Sequence, residues 1–183
     1  EKIEYGHGKR TVSELYSQKA DGKPEKLIAE KRYIREFAVT RDGKRIAMVS
    51  AIDDTVVKSE GESRVDVWEG GKVVTPRTEV YRKDAASPFA WLEGLAWNAD
   101  GTKYAFCCIH DAYPAEVIFG ERAGTEWTTV RMPRPRGAQV RGYGSPLRWN
   151  ETGALVYLGD KNGTVFPVSY NLATGQSGSA STW

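Results

Sequence analysis

The residue types that could do chemistry are few. His110, Asp111 and Glu116 fall within the seven residues His110-Asp111-Ala112-Tyr113-Pro114-Ala115-Glu116, a spacing that could offer three ligands to a metal ion. Polar loops often hold such residues, and the only other histidine is His7, so no metal site is assigned. The nucleophile elbow G-x-S-x-G is absent: Gly142-Tyr143-Gly144-Ser145-Pro146 and Gly175-Gln176-Ser177-Gly178 both miss its spacing. Neither histidine is matched to a serine or cysteine as a catalytic triad would require. Cys107 and Cys108 are adjacent in an apolar run. Neighbours on a strand point to opposite faces, which suits two buried thiols and not a disulfide. No catalytic residue and no cofactor is expected.

A sharper feature is the run from Arg131 to Arg148, RMPRPRGAQVRGYGSPLR, with Arg131, Arg134, Arg136, Arg141 and Arg148 and no acid. A solvated basic connection is one reading. The other is a docking surface, in which arginine forks bind carboxylates and Tyr143 anchors the contact. Two further loops are expected. Ala51–Asp66 is polar and acid-biased, and Arg82–Leu92 sets Phe89 and Trp91 beside Ala85-Ala86-Ser87-Pro88, where they line a ligand surface or pack between units.

These residues need a frame, and the frame repeats. Phe37–Ser50 (FAVTRDGKRIAMVS), Leu95–Cys108 (LAWNADGTKYAFCC) and Leu147–Asp160 (LRWNETGALVYLGD) align without gaps. Each has a short apolar run, a polar turn and a second apolar run. The turn glycines Gly43, Gly101 and Gly153 lie 58 and 52 residues apart. Asp or Asn caps such a bend and Gly accepts its positive φ. The runs that follow read as strands buried on both faces. A second hairpin follows each: Val65–Trp68 through Gly70-Gly71 to Lys72–Val74, Glu116–Phe119 through Ala123-Gly124 to Trp127–Val130, and Val165–Tyr170 through Ala173-Thr174-Gly175 towards the C-terminus. Four strands at a period near fifty predict propeller blades. A β-sandwich also uses such turns, but three in-phase repeats favour the propeller.

Ser13–Ala29 reads as an outer hairpin alone, so the chain is expected to enter mid-blade. Blade portions fall at about 1–33, 34–83, 92–133 and 144–183. The fold class is thus all-β: a β-propeller segment of about three and a half four-stranded blades, half of a larger closed ring. Rings remove the exposed edges an open arc would carry, so a second copy or another chain is expected to close it.

The apolar run, Asp-Gly-Lys and Arg-Ile-Ala of residues 37–47 resemble the repeats of TolB-like and WD-type propellers. They are also similar to the N-terminal propeller of prolyl oligopeptidase family serine peptidases. Ala173-Thr174-Gly175 and Lys19–Pro24 match the outer turns of such blades. Arg41 and Ala99 replace the proline that often precedes Asp-Gly there, and Thr152 stands where Asp would sit. The resemblance implies a fold more than a function. Within the peptidase family this chain would be part of the substrate-gating propeller, with the catalytic domain elsewhere.

The bulk numbers narrow the partners. The 183 residues carry 26 Lys and Arg against 24 Asp and Glu, a net charge of +2, with 40% hydrophobic residues. That balance argues against a nucleic-acid or membrane surface, and no apolar stretch approaches the ~20 residues of a membrane span. The expected function is a non-catalytic binding and assembly module, with a peptide or protein as ligand. Its candidate binding residues are Arg131, Arg134, Arg136, Arg141, Tyr143, Phe89 and Trp91.

Overall fold

The computed structural model describes residues 13–28, 30, 32–51, 63–78, 84, 90–110, 113–133 and 138–180. Every regular element among them is a strand. A short antiparallel hairpin, β1 (Tyr16–Ser17) and β2 (Glu25–Lys26), comes first. Three antiparallel sheets follow. The first holds β3 (Tyr33–Val39), β4 (Arg45–Ala51), β5 (Ser63–Glu69) and β6 (Lys72–Thr78) in sequential order. The second holds β7 (Trp91–Trp97), β8 (Lys103–Ile109), β9 (Glu116–Ala123) and β10 (Glu126–Arg131), again in order. Such four-stranded meanders are propeller blades, and the chain is the propeller segment its repeats announce.

The third sheet departs from this plan. Its innermost strand comes in two pieces, β11 (Gln139–Val140) and β12 (Arg148–Trp149). Both pair with β13 (Leu155–Lys161), β11 at Gly159 and Asp160, β12 at Leu155 and Val156. β14 (Thr164–Asn171) and β15 (Gln176–Ser179) complete it. The arginine-rich stretch expected as one connection therefore supplies β11 and the first residue of β12, and residues 141–147 loop out between them.

The three inner turns share one geometry. Gly43, Gly101 and Gly153 sit at φ 71°, 68° and 77°. Each donates its N–H to the carbonyl of Thr40, Asn98 or Asn150, at 2.9, 3.1 and 3.0 Å. The opening residue also caps the turn with its side chain: Thr40 Oγ1 accepts from Arg45 N, Asn98 Oδ1 from Lys103 N and Asn150 Oδ1 from Ala154 N. The third turn closes one residue sooner than the other two. Val39 pairs with Ile46 and Trp97 with Tyr104, but Trp149 pairs with Leu155 rather than Val156. The gap-free alignment of the repeats thus slips beyond Gly153: matched by pairing, Leu155 stands where Tyr104 does, and both face the sheet before.

Alternation along the second strand of each sheet builds the seams. Tyr104, Phe106 and Cys108 of β8 pack with Ala47, Val49, Val65 and Val67 of the sheet before. Ala105, Cys107 and Ile109 pack with Leu155, Tyr157, Val168 and Tyr170 of the sheet after. On β4, Ile46 and Met48 meet Leu15, Leu27 and Ile28 of the first hairpin, while Ala47 and Val49 face forward. A strand covered on both sides must be apolar at consecutive positions. Neither cysteine is in a disulfide, and the two are buried in separate cores.

Polar contacts lock the seams in register. Trp97 Nε1 donates to Ala38 O at 2.9 Å, and Trp149 Nε1, one repeat later, to Ala96 O at 3.0 Å. The Glu69 carboxylate accepts from Arg45 Nε of its own sheet and Arg122 Nη1 of the next, at 2.8 and 2.6 Å. Within the first sheet Asp66 is wholly buried. It accepts from Arg32 Nη1 (2.6 Å), Ser50 Oγ (2.6 Å), Arg64 Nε (3.2 Å) and Thr75 Oγ1 (2.5 Å). A buried carboxylate needs partners of this number and charge.

Two predictions follow from the packing. Gly120 lies opposite Tyr104, and a Cβ at 120 would come within 2.2 Å of the phenol ring. Gly120→Ala is therefore expected to lower stability by about 1–3 kcal/mol, with most of the loss recovered when Tyr104→Val makes room. Urea denaturation of the two single variants and the double variant reads this; additive losses would contradict it.

Burial pushes the Cys107 thiol from 9.0 up to about 12, reinforced by the charges of Glu93 and Glu36. Burial likewise raises the Tyr157 phenol from 10.0 to about 12. Above about pH 9 the unfolded chain sheds these protons and the folded chain keeps them, so stability falls as pH rises towards 12. Urea midpoints are expected to decline above about pH 9; a flat profile up to about pH 11 would count against this.

Candidate functional site: the loop end of the segment

Strand register sorts the connections into two ends. The turns at 40–44, 70–71, 98–102, 124–125, 150–154 and 172–175 share one end. The connections leaving Ala51, Thr78, Ile109 and Arg131 share the other. Longer connections on a rigid frame are where binding surfaces arise, and the loop end gathers the candidate residues.

At this end the innermost strands form a linked row. Arg35 of β3 lays its guanidinium over the Trp91 ring, 4.1 Å from the centroid. The Trp91 indole donates to Glu93 Oε2 at 2.6 Å, and Glu93 Oε1 accepts from Gly144 N at 2.5 Å. One carboxylate thus ties the second sheet to the looped-out segment of the third. The same device works one seam earlier, where Glu36 accepts from Gly94 N (2.9 Å) and Leu95 N (2.6 Å). Gly94 makes this possible at φ 76°: it sits in a bulge of β7, and a Cβ there would lie 3.1 Å from Ser145 O. Phe37, Val39, Trp91 and Tyr143, all on or between innermost strands, keep large apolar surfaces exposed.

Beside this row an open cleft of about 480 Å³ separates the second and third sheets. Ile109, His110, Tyr113, Pro114 and Ala115 line one side. Gln139–Tyr143 and Asp160 line the other. A bridge between Ala115 and Val140 joins the two sides.

No family model matches the sequence, and no curated protein matches it. Solved structures match it in shape. TolB from Acinetobacter baumannii superposes with a TM-score of 0.56 at 16% identity, over 91% of this chain and 37% of that one. A TolB-type protein from Agrobacterium tumefaciens gives 0.56 at 13% identity, over 93% of this chain and 55% of the other. The fold is that of a TolB-like β-propeller. The chain spans roughly a third to a half of the TolB chains it matches, so half a propeller fits.

In this TolB-like frame the candidate residues separate. Trp91, expected in a loop, is instead the first residue of the innermost strand β7, 43% exposed and held between Arg35 and Glu93. Tyr143 is 57% exposed on the cleft rim. Arg141 also lines the cleft, its backbone N–H on Leu158 O. Arg131 lies apart, paired through Nε with the buried Glu116 carboxylate at 3.0 Å. Phe89, Arg134, Arg136, His7, Asp111 and most of the acid-biased loop lie outside the described residues. His110 lines the cleft, and Glu116 is paired with Arg131. Among the described residues no group of three metal-ligating side chains occurs.

Sequence reasoning passed over Arg35, Glu36 and Glu93. Their signal was there: an acid directly before or within the apolar innermost run of two repeats, IREFAV and WLEGLAW, where a solvent-facing strand has no need of one. Glu93→Ala should free the segment after Val140, because it removes the acceptor of Gly144 N. Trypsin cleavage at Arg141, followed by mass spectrometry of the fragments, is expected to accelerate several-fold while cleavage elsewhere is unchanged. Unaltered cleavage at Arg141 would show that Glu93 does not hold this segment.

Proposed function

We propose that this chain is a non-catalytic binding and assembly module, a propeller segment that completes a ring with a second copy or with another chain. One observation supports this reading above the others. Every internal seam is buried, yet the two outermost sheet faces each keep a large apolar side chain in solvent. Tyr16 is 52% exposed on the face of the first hairpin turned away from the sheets, and Val165 is 38% exposed on the outer face of the third sheet. Tyr16 and Val165 offer apolar surface that a further sheet would cover, as the internal seams are covered. The exposed row of Trp91 and Tyr143 beside the cleft supplies the binding part, with aromatic anchors for a peptide or protein ligand. The reading as part of a peptidase's gating propeller rests on resemblance alone.

Native mass spectrometry at micromolar concentration tests the assembly. The expected result is a species of two chains, or of this chain with a companion, that falls to single chains under denaturing conditions. A single chain in both conditions overturns the reading.

A further inference from the structure

The chain has four asparagines, and three of their side chains are committed to capping a turn. Asn98 Oδ1 accepts from Lys103 N, and Asn150 Oδ1 from Thr152 N and Ala154 N. Asn171 Oδ1 accepts from Ala173 N and Thr174 N. Asn162 differs. Its side chain is exposed and bonds to none of the described residues. It is also the one asparagine followed by glycine.

Lys161 pairs with Thr164, so Asn162 and Gly163 alone turn the chain from β13 into β14. Their φ values of 53° and 80° are those of a type I′ turn. Gly163 has no side chain to crowd its nitrogen, and no atom lies within 4 Å of the place a Cβ would take there, so water reaches the turn.

We propose that Asn162-Gly163 is a self-modification site, at which the chain converts its own asparagine to isoaspartate and aspartate, with Asp160 as the brake. The Gly163 nitrogen attacks Asn162 Cγ. The N–Cγ bond forms, the Cγ–Nδ2 bond breaks, and ammonia leaves with the proton that Gly163 N gives up. Water then opens the resulting succinimide ring. Opening at Cγ leaves aspartate; opening at the main-chain carbonyl leaves isoaspartate, whose backbone runs through Cβ and Cγ. Water is the one co-reactant, and nothing is oxidised or reduced.

The fold restrains this step. The first residue of a type I′ turn has ψ of about +30°, which turns the Gly163 nitrogen away from Cγ, so the ring closes when the turn opens. Gly163 N–H also donates to Asp160 Oδ1 at 3.0 Å. The nitrogen attacks once it has lost that proton, and a carboxylate beside it opposes the new negative charge. The Asp-Gly pairs of the inner turns, Asp42-Gly43 and Asp100-Gly101, would form the same ring only from protonated carboxyls. Hydrogen bonds from Thr40 and Thr102 hold those carboxyls below the usual carboxylate range.

Each event adds one negative charge to a chain of net charge +2. Isoaspartate also adds a backbone atom to the two-residue turn, which breaks the pairing of Lys161 with Thr164 and loosens that of Asp160 with Val165. Asp160 lines the cleft, so the change reaches the cleft wall.

Incubating the folded chain under mildly alkaline conditions, followed by peptide mass spectrometry, tests the site. Asn162 is expected to gain about one mass unit, as both isoaspartate and aspartate, about tenfold or more faster than Asn98, Asn150 or Asn171. Conversion of Asn162 no faster than at those three overturns the proposal. Asp160→Ala is expected to speed conversion at Asn162 several-fold and leave the other three rates alone. An unchanged rate at Asn162 overturns the brake, and so does a rise at all four, which would report a general loosening. The isoaspartate form, separated by ion exchange, is expected to exchange amide hydrogens faster from Asp160 to Val165 and no faster in the second sheet. Unaltered exchange there would overturn the effect on the hairpin.

Discussion

The structure depends on strands that serve two cores at once. In β4 and β8, odd and even residues pack against different neighbours, so one strand joins three consecutive blades. Tyr104 and Ala105, one peptide bond apart, lie in different hydrophobic clusters. In the first two four-stranded sheets, the second strand has an apolar face that the next sheet covers. Cohesion is therefore nearest-neighbour and accumulates along the chain, as in repeat proteins.

The hydrogen bonds across the seams convert this apolar adhesion into fixed geometry. Burial is indifferent to a small slide of one sheet over another. An indole donating to one particular carbonyl is not, nor is a carboxylate gripping two successive N–H groups. Trp97, Trp149, Glu36 and Glu93 all act at innermost strands, nearest the axis, where a small error in angle would be magnified at the rim. Glu69, bridging Arg45 and Arg122, does the same work at the turn end.

Much of this was legible in the sequence, and the reasons are local. Glycine at the seventh place of each repeat, after Asp or Thr, fixes a turn through backbone sterics alone. Consecutive apolar residues such as those of RIAMVS and KYAFCC mark a strand with no wet face. What escaped was decided by tertiary contacts. The first piece of the third sheet's innermost strand follows a run of arginine, proline and glycine, and only pairing with β13 makes Gln139–Val140 a strand, whereas Arg148–Trp149 lies in the expected apolar run. Trp91 sits beyond a glycine bulge, so its run seemed to begin at Leu95. Of the candidate site, Trp91, Arg141 and Tyr143 do lie at the loop end. Arg131 ends β10 at the same end but does not line the cleft, because the buried Glu116 claims it.

The early closure of the third inner turn bears on ancestry and engineering alike. One residue fewer between Asn150 and the strand leaves the facing of that strand unchanged: Leu155 pairs with Trp149 as Tyr104 pairs with Trp97, and both turn towards the sheet before. The turn, and not the strand, has absorbed the missing residue. Any scheme that lengthens or permutes this array by copying its modules must therefore match them by strand pairing and not by counting residues from the turn glycine.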